Sequence, residues 1–107
     1  MADRAIVAAV RRYLRALSQE GIHAKRAVLF GSFARGDATE TSDIDVVVIA
    51  PEFDGHRSRR LVERLWIVRA EADTRIEPIP CGEREWETEG GRPILDVARH
   101  EGVIVPA

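Results

Sequence analysis

Cysteine and lysine each occur once in this chain, as Cys81 and Lys25. A single thiol cannot close an intramolecular disulfide, and no Cys-rich zinc site can be assembled from it. Cys81 therefore reads as a small apolar side chain. The three histidines, His23, His56 and His100, lie far apart and lack metal-ligand spacing, so they read as surface or cap residues. No apolar run approaches the length of a membrane span, and the N-terminus lacks the apolar core of a secretory leader. A cytoplasmic location is the expectation. Positive charge is not in excess either. The formal net charge of −2 excludes the broad basic field of a non-specific nucleic-acid binder.

What remains is an ordinary globular composition, 45% hydrophobic and 32% charged. Residues 1–107 fit one domain, long enough to build a core without disulfides or a structural metal. Residues 3–20 show apolar positions at three- and four-residue spacing (Ile6, Val10, Tyr13, Leu14, Leu17), with Arg11, Arg12 and Arg15 opposite, which predicts an amphipathic helix. Residues 26–30 predict a strand that delivers Gly31-Ser32, and Phe33-Ala34-Arg35 a short helical turn with Ser32 as a possible N-cap. A polar loop leads to a second strand at 44–50, apolar throughout and so expected to be buried on both faces. Residues 57–72 predict a second amphipathic helix with Leu61, Val62, Leu65, Trp66 and Val68 inward. Residues 74–80 predict an extended segment that Pro78 restricts to a sheet edge. A helical turn at 83–87, a last helix at 93–100 opened by Pro93, and a short extended tail at 103–105 complete the order. The class is α/β (α+β): helices on a small mixed sheet of about three strands, ordered α-β-α-β-α-β-α.

The chemistry concentrates in Gly31–Asp45, GSFARGDATETSDID. Side chains two apart on a strand share a face, so Asp43 and Asp45 project together. Two carboxylates held that close repel, and a hard divalent cation such as Mg²⁺ resolves the conflict. Asp-x-Asp by itself is a weak signal, and Gly-Ser before a helix turn by itself signals only a cap. Together they say more. A glycine at a strand end admits a ligand close to the backbone, and the N–H groups of the following turn favour an anion. With average residue usage, Gly-Ser, ten residues, then Asp-x-Asp arises by chance on the order of 10⁻⁵ per start position.

GSFARGDATETSDIDVVV resembles the signature of the DNA polymerase beta-type nucleotidyltransferase superfamily. More narrowly, it resembles the minimal nucleotidyltransferases that include antitoxin partners of HEPN-domain toxins. The resemblance implies that Gly31 and Ser32 bind a nucleoside triphosphate, with ATP the expected one. It implies that Asp43 and Asp45 bind two Mg²⁺ ions, and that a third carboxylate on a later strand completes the site. Glu77 is the candidate for that third ligand, although the superfamily commonly places Asp there. Glu71 and Asp73 are rivals by proximity, and Glu77 could instead pair with Arg75. Arg35 lies within reach of a phosphate at Gly31-Ser32, or forms an ion pair with Asp37 or Asp43. Ser42 either supports the aspartates or serves its turn.

The implied reaction moves a nucleoside monophosphate, AMP from ATP, to an acceptor hydroxyl. The 107 residues offer no further acceptor-binding domain, so a helical HEPN-type partner protein or a second copy of the chain is expected to contribute it. Two other readings stay open. One is a non-catalytic module that binds nucleotide or caps a partner. The other is a subunit acting on RNA ends or a small molecule, suggested by the arginine-rich stretch 57–64.

Overall fold

Alternation along two adjacent strands divides the core into two layers. The computed structural model describes residues 3–55 and 57–107. Strands β1 (Arg26–Phe30), β2 (Ile44–Ile49), β3 (Ile76–Cys81) and β4 (Val103–Pro106) form one sheet in the order β3-β2-β1-β4. β1 runs antiparallel to both β2 and β4, while β2 and β3 are parallel. Ala27, Leu29, Val46 and Val48 point to one side, Val28, Phe30, Val47 and Ile49 to the other, and all eight are buried. Burial on both faces is what a strand without polar alternation requires.

The first face is covered by helix α1 (Arg4–Gln19) and by the later helix α3 (Arg59–Val68). The Asp3 carboxylate caps α1 by accepting the Ala5 N–H at 2.7 Å. Ile6, Val10, Tyr13, Leu14 and Leu17 then form its buried stripe. The second face is covered by the short helix α4 (Glu83–Glu87) and by α5 (Pro93–Glu101), through Trp86, Leu95 and Ala98. Pro93 opens α5 as expected, because the first turn needs no N–H from it. Cys81 is buried in this layer, consistent with its reading as a small apolar residue.

Helix α2 (Ser32–Arg35) is one turn long, and its N-cap is Gly31 rather than Ser32. Helix α3 (Arg59–Val68) is shorter than the 57–72 stretch and passes into a 3₁₀ turn at Arg69–Glu71. Leu65 and Val68 carry its burial, with Leu61 packed against them. Trp66 belongs to a different face. One residue turns a helix by about 100°, which rotates Trp66 out of the Leu61-Leu65-Val68 stripe. It is 42% exposed, with the Arg69 guanidinium 4.8 Å above its ring. The expected extended tail is β4, hydrogen-bonded to β1, so the sheet has four strands and not three. β3 lies at the other edge, as Pro78 demands. His23 Nδ1 meets Glu52 at 3.1 Å and His100 Nδ1 meets the Asp96 carbonyl at 3.2 Å, whereas His56 lies outside the described residues.

One polar contact joins α1 to α3 inside the apolar layer. The buried Tyr13 hydroxyl donates to the Leu65 carbonyl at 2.6 Å. Burial pushes this phenol well above its ordinary pKa, so it remains a donor at physiological pH. Tyr13→Phe keeps the ring and removes the donor. Urea denaturation should show a loss of about 1 kcal/mol with an unchanged m-value.

Candidate functional site

Parallel pairing of β2 with β3 sets Asp45 beside Glu77, and antiparallel pairing with β1 sets Asp45 opposite Phe30. Gly31, one residue past Phe30, therefore borders the carboxylates. Asp43, Asp45 and Glu77 fall on one face of the sheet, at the end of the layer that α5 covers, while Ile44 and Ile76 are buried on the other. The sequence-predicted residues Gly31, Ser32, Asp43, Asp45 and Glu77 thus stand around one end of the sheet.

Gly31 is needed here on two counts. Its φ of 75° lies in the left-handed region, and a Cβ at this position would run into the Asp45 carboxylate. Its carbonyl accepts the N–H groups of both Ala34 and Arg35, at 3.1 and 3.0 Å, which turns the chain sharply into α2. The backbone approaches an acidic side chain as closely as it would need to approach a ligand.

The three acids form no ion pair among the described residues, although arginines pair with glutamate or aspartate over most of the surface. They act on each other instead. Burial and then the Asp43 charge raise the Asp45 carboxyl above its usual range, and Arg35 offsets part of this. Glu77 is raised by desolvation, by the charge of Asp43 and by hydrogen-bonding contact with it, and by Asp45. Arg75, the alternative partner of Glu77, turns to Asp73. Its Nη2 is 2.8 Å from Asp73 Oδ2, and its Nε and backbone N–H donate to Oδ1. That pairing holds Asp73 below the usual carboxylate range and occupies both its oxygens, while Glu71 is exposed on the 3₁₀ turn. Of the three rival carboxylates, Glu77 is the one in contact with the Asp pair. Ser42 serves its turn: its Oγ accepts the Thr39 N–H at 2.8 Å.

Arg35 does pair with Asp37, Nε to Oδ2 at 3.4 Å, but not with Asp43. Its second partner is Glu101, the last residue of α5, whose two carboxylate oxygens both lie 3.3 Å from Arg35 Nη1. Glu101 Oε1 also accepts the Gly31 N–H at 3.1 Å. Sequence reasoning missed Glu101 because it took residues 103–105 for an unpaired tail. With Leu29 opposite Val103 in an antiparallel pair, two residues beyond Leu29 must meet two residues before Val103. Recognition of β4 as a partner of β1 brings Glu101 to Gly31.

Oxygen-only donors crowded without a countercharge fit the chemistry of a hard divalent cation. Among the described residues, however, no three His, Cys, Asp or Glu side chains stand ready-made around one metal position. Asp43 is exposed at this end of the sheet, and Asp45 and Glu77 are half-buried. A groove of about 520 Å³ elsewhere, along α1, is lined by Arg4, Val7, Ala8, Arg11, Arg12 and Arg15 and involves none of these groups.

A mixed sheet carrying paired acids on a central strand, next to a strand that ends in Gly-Ser, defines a nucleotidyltransferase-type α+β domain. Residues 10–88 match the family model for the nucleotidyltransferase domain, and the chain belongs to that family. It is 44% identical over 48 residues to a Methanocaldococcus jannaschii protein named "Putative protein adenylyltransferase"; the match covers 43% of this chain and 48% of the relative. The aligned stretch thus spans about half the length of that curated relative. A crystal structure of a "putative nucleotidyltransferase" from Sulfolobus solfataricus superposes with a TM-score of 0.53 at 20% identity. The superposition covers 95% of this chain and 86% of that one, and it supports the fold. Among the described residues no helix is long and apolar enough to cross a membrane.

The acid cluster has a consequence for stability. A carboxyl whose pKa rises on folding opposes folding when charged. The penalty is fully present above the raised value, fades as pH falls through it, and is gone below the ordinary carboxylate range. Asp45→Asn and Glu77→Gln should each raise the thermal midpoint of cation-free protein by a few degrees at about pH 7. The gain should vanish below about pH 4, as followed by circular dichroism.

Proposed function

We propose that this protein is a Mg²⁺-dependent nucleotidyltransferase that moves AMP from ATP to a hydroxyl on a partner protein and releases pyrophosphate. The observation that carries this reading is the set of three carboxylates at the start of β2 and on β3, without an ion-pair partner among the described residues and adjacent to the Gly31-Ser32 turn. Asp43, Asp45 and Glu77 would hold two Mg²⁺ ions, which when bound supply charge neutralisation to the phosphates and acidify the acceptor hydroxyl.

The chain's own groups would do the rest. The Gly31 N–H and the Ser32 hydroxyl bind the β- and γ-phosphates, and Arg35 adds a charge-assisted contact. The tight glycine turn keeps these donors against the carboxylates, so phosphate and acceptor would meet in a fixed orientation. Glu77, in register with Asp45, would help draw the proton from the acceptor hydroxyl. Little covalent chemistry is asked of the side chains, since positioning and electrostatics provide most of the effect.

Protein as the acceptor is supported by the name of the Methanocaldococcus relative. On the family resemblance, the acceptor is a HEPN-type toxin and this chain its antitoxin. The arginines that favour an RNA substrate are largely neutralised: Arg57 pairs with Glu85, Arg59 with Glu63 and Arg64 with Glu20. A second reading, a nucleotide-binding or partner-capping module without catalysis, is favoured by the lack of a ready-made three-ligand metal position among the described residues.

The test is to mix the protein with labelled ATP, Mg²⁺ and the product of an adjacent gene. Label should move from ATP to the partner. Asp43→Asn and Asp45→Asn should each reduce transfer by about two orders of magnitude or more. Transfer that survives either change would overturn the mechanism, and ATP binding without any transfer would favour the second reading.

A further inference from the structure

Two of the three donors assigned to the phosphates, the Gly31 N–H and Arg35, are already occupied. Glu101 Oε1 accepts the Gly31 N–H at 3.1 Å, and both of its oxygens lie 3.3 Å from Arg35 Nη1. The register of β4 against β1 brings the end of α5, and with it Glu101, to this point. The Glu101 side chain is 24% exposed and Arg35 50%, so the carboxylate lies inward of its partner, against the buried Gly31 backbone. Glu101 also adds its charge to that of Asp43 at the Asp45 carboxyl.

We propose that Glu101 is an internal stand-in for phosphate, an autoinhibitory carboxylate that a nucleotide must displace from the Gly31 N–H and Arg35 before it can bind. This rests on the reading of Gly31, Ser32 and Arg35 as phosphate-binding groups. A buried N–H without an acceptor is costly, and Glu101 supplies one when no nucleotide is present. Two anions cannot accept from one N–H at the same point, and the approaching triphosphate also meets the like charge of Glu101. Nucleotide entry therefore pushes Glu101 off its donors and frees Arg35 to turn to the incoming phosphate. The same carboxylate sets a threshold. An anion that does not bring its own cation faces four acids, Asp43, Asp45, Glu77 and Glu101, with Arg35 tied up by one of them.

The experiment is calorimetric titration of ATP with Mg²⁺ into the wild-type chain, Glu101→Gln, Glu101→Ala and Ser32→Ala. Removing the competing charge should tighten binding about three- to tenfold in both Glu101 variants, and Ser32→Ala should weaken it. Glu101 variants that fold normally but bind no tighter than wild type overturn the proposal. If Ser32→Ala still weakens binding in that case, the phosphate-binding reading survives it. A folded wild-type chain that does not bind ATP with Mg²⁺ overturns both. The unmodified protein gives a separate readout by ¹³C NMR. The Glu101 carboxylate resonance should shift on saturation with ATP and Mg²⁺, and an unmoved resonance overturns the proposal even if the variants do not fold.

Discussion

Mutual repulsion of carboxylates on two neighbouring parallel strands is the constraint around which this domain is arranged. β2 and β3 hold Asp45 beside Glu77, and strand alternation adds Asp43 to the same face. None of these acids has an ion-pair partner among the described residues, and the burial of Asp45 makes the conflict worse. The fold can tolerate this because the rest of the sheet is well secured. β2 is buried on both faces from Val46 to Ile49, and α1 and α5 close the two layers over it. An apolar platform of that kind can hold one electrostatically unfavourable edge, and such edges are where a cation or a polyanion with its cation finds a place.

The second element of the site is the reversal at Gly31. A side chain there is excluded by the positive φ and by Asp45. The residue is therefore set by its acidic neighbour as much as by any ligand. Because β1 carries Gly31 between β2 on one side and β4 on the other, the same turn touches both the clustered acids and the end of α5. Glu101 enters the site through that geometry. On the proposed reading, the Gly31 N–H and Arg35 are engaged by Glu101 before any nucleotide arrives, so nucleotide binding and release of Arg35 would be one event.

Elsewhere the chain shows how charge is handled when no function is asked of it. Arg75 folds onto Asp73, Arg92 onto Glu85 and Arg99 onto Asp96, each at 2.9 Å or less. These part-buried pairs leave few uncompensated charges around them. Against that background the unpaired acids of β2 and β3 mark the site more clearly than cavity depth does.

The sequence by itself determined the elements that depend on local periodicity and on single residues. The stripe of α1, the two apolar strands, the Pro93 start of α5 and the Pro78 restriction of β3 to an edge follow from spacing and backbone chemistry. Gly31, Ser32, Asp43 and Asp45 were legible for a related reason: both halves of that pattern lie within fifteen residues, each attached to its own strand. What required tertiary structure was everything set by register between distant segments. The choice of Glu77 over Asp73 depends on β3 pairing with β2 and on Arg75 folding back. The exposure of Trp66 depends on which stripe of α3 meets α1. The identity of residues 103–106 as a strand, and with it Glu101 at Gly31, depends on a hydrogen-bond partner more than seventy residues away in the chain. Four residues carry too weak a local preference to announce a strand, and only the exposed edge of β1 gives them one to complete.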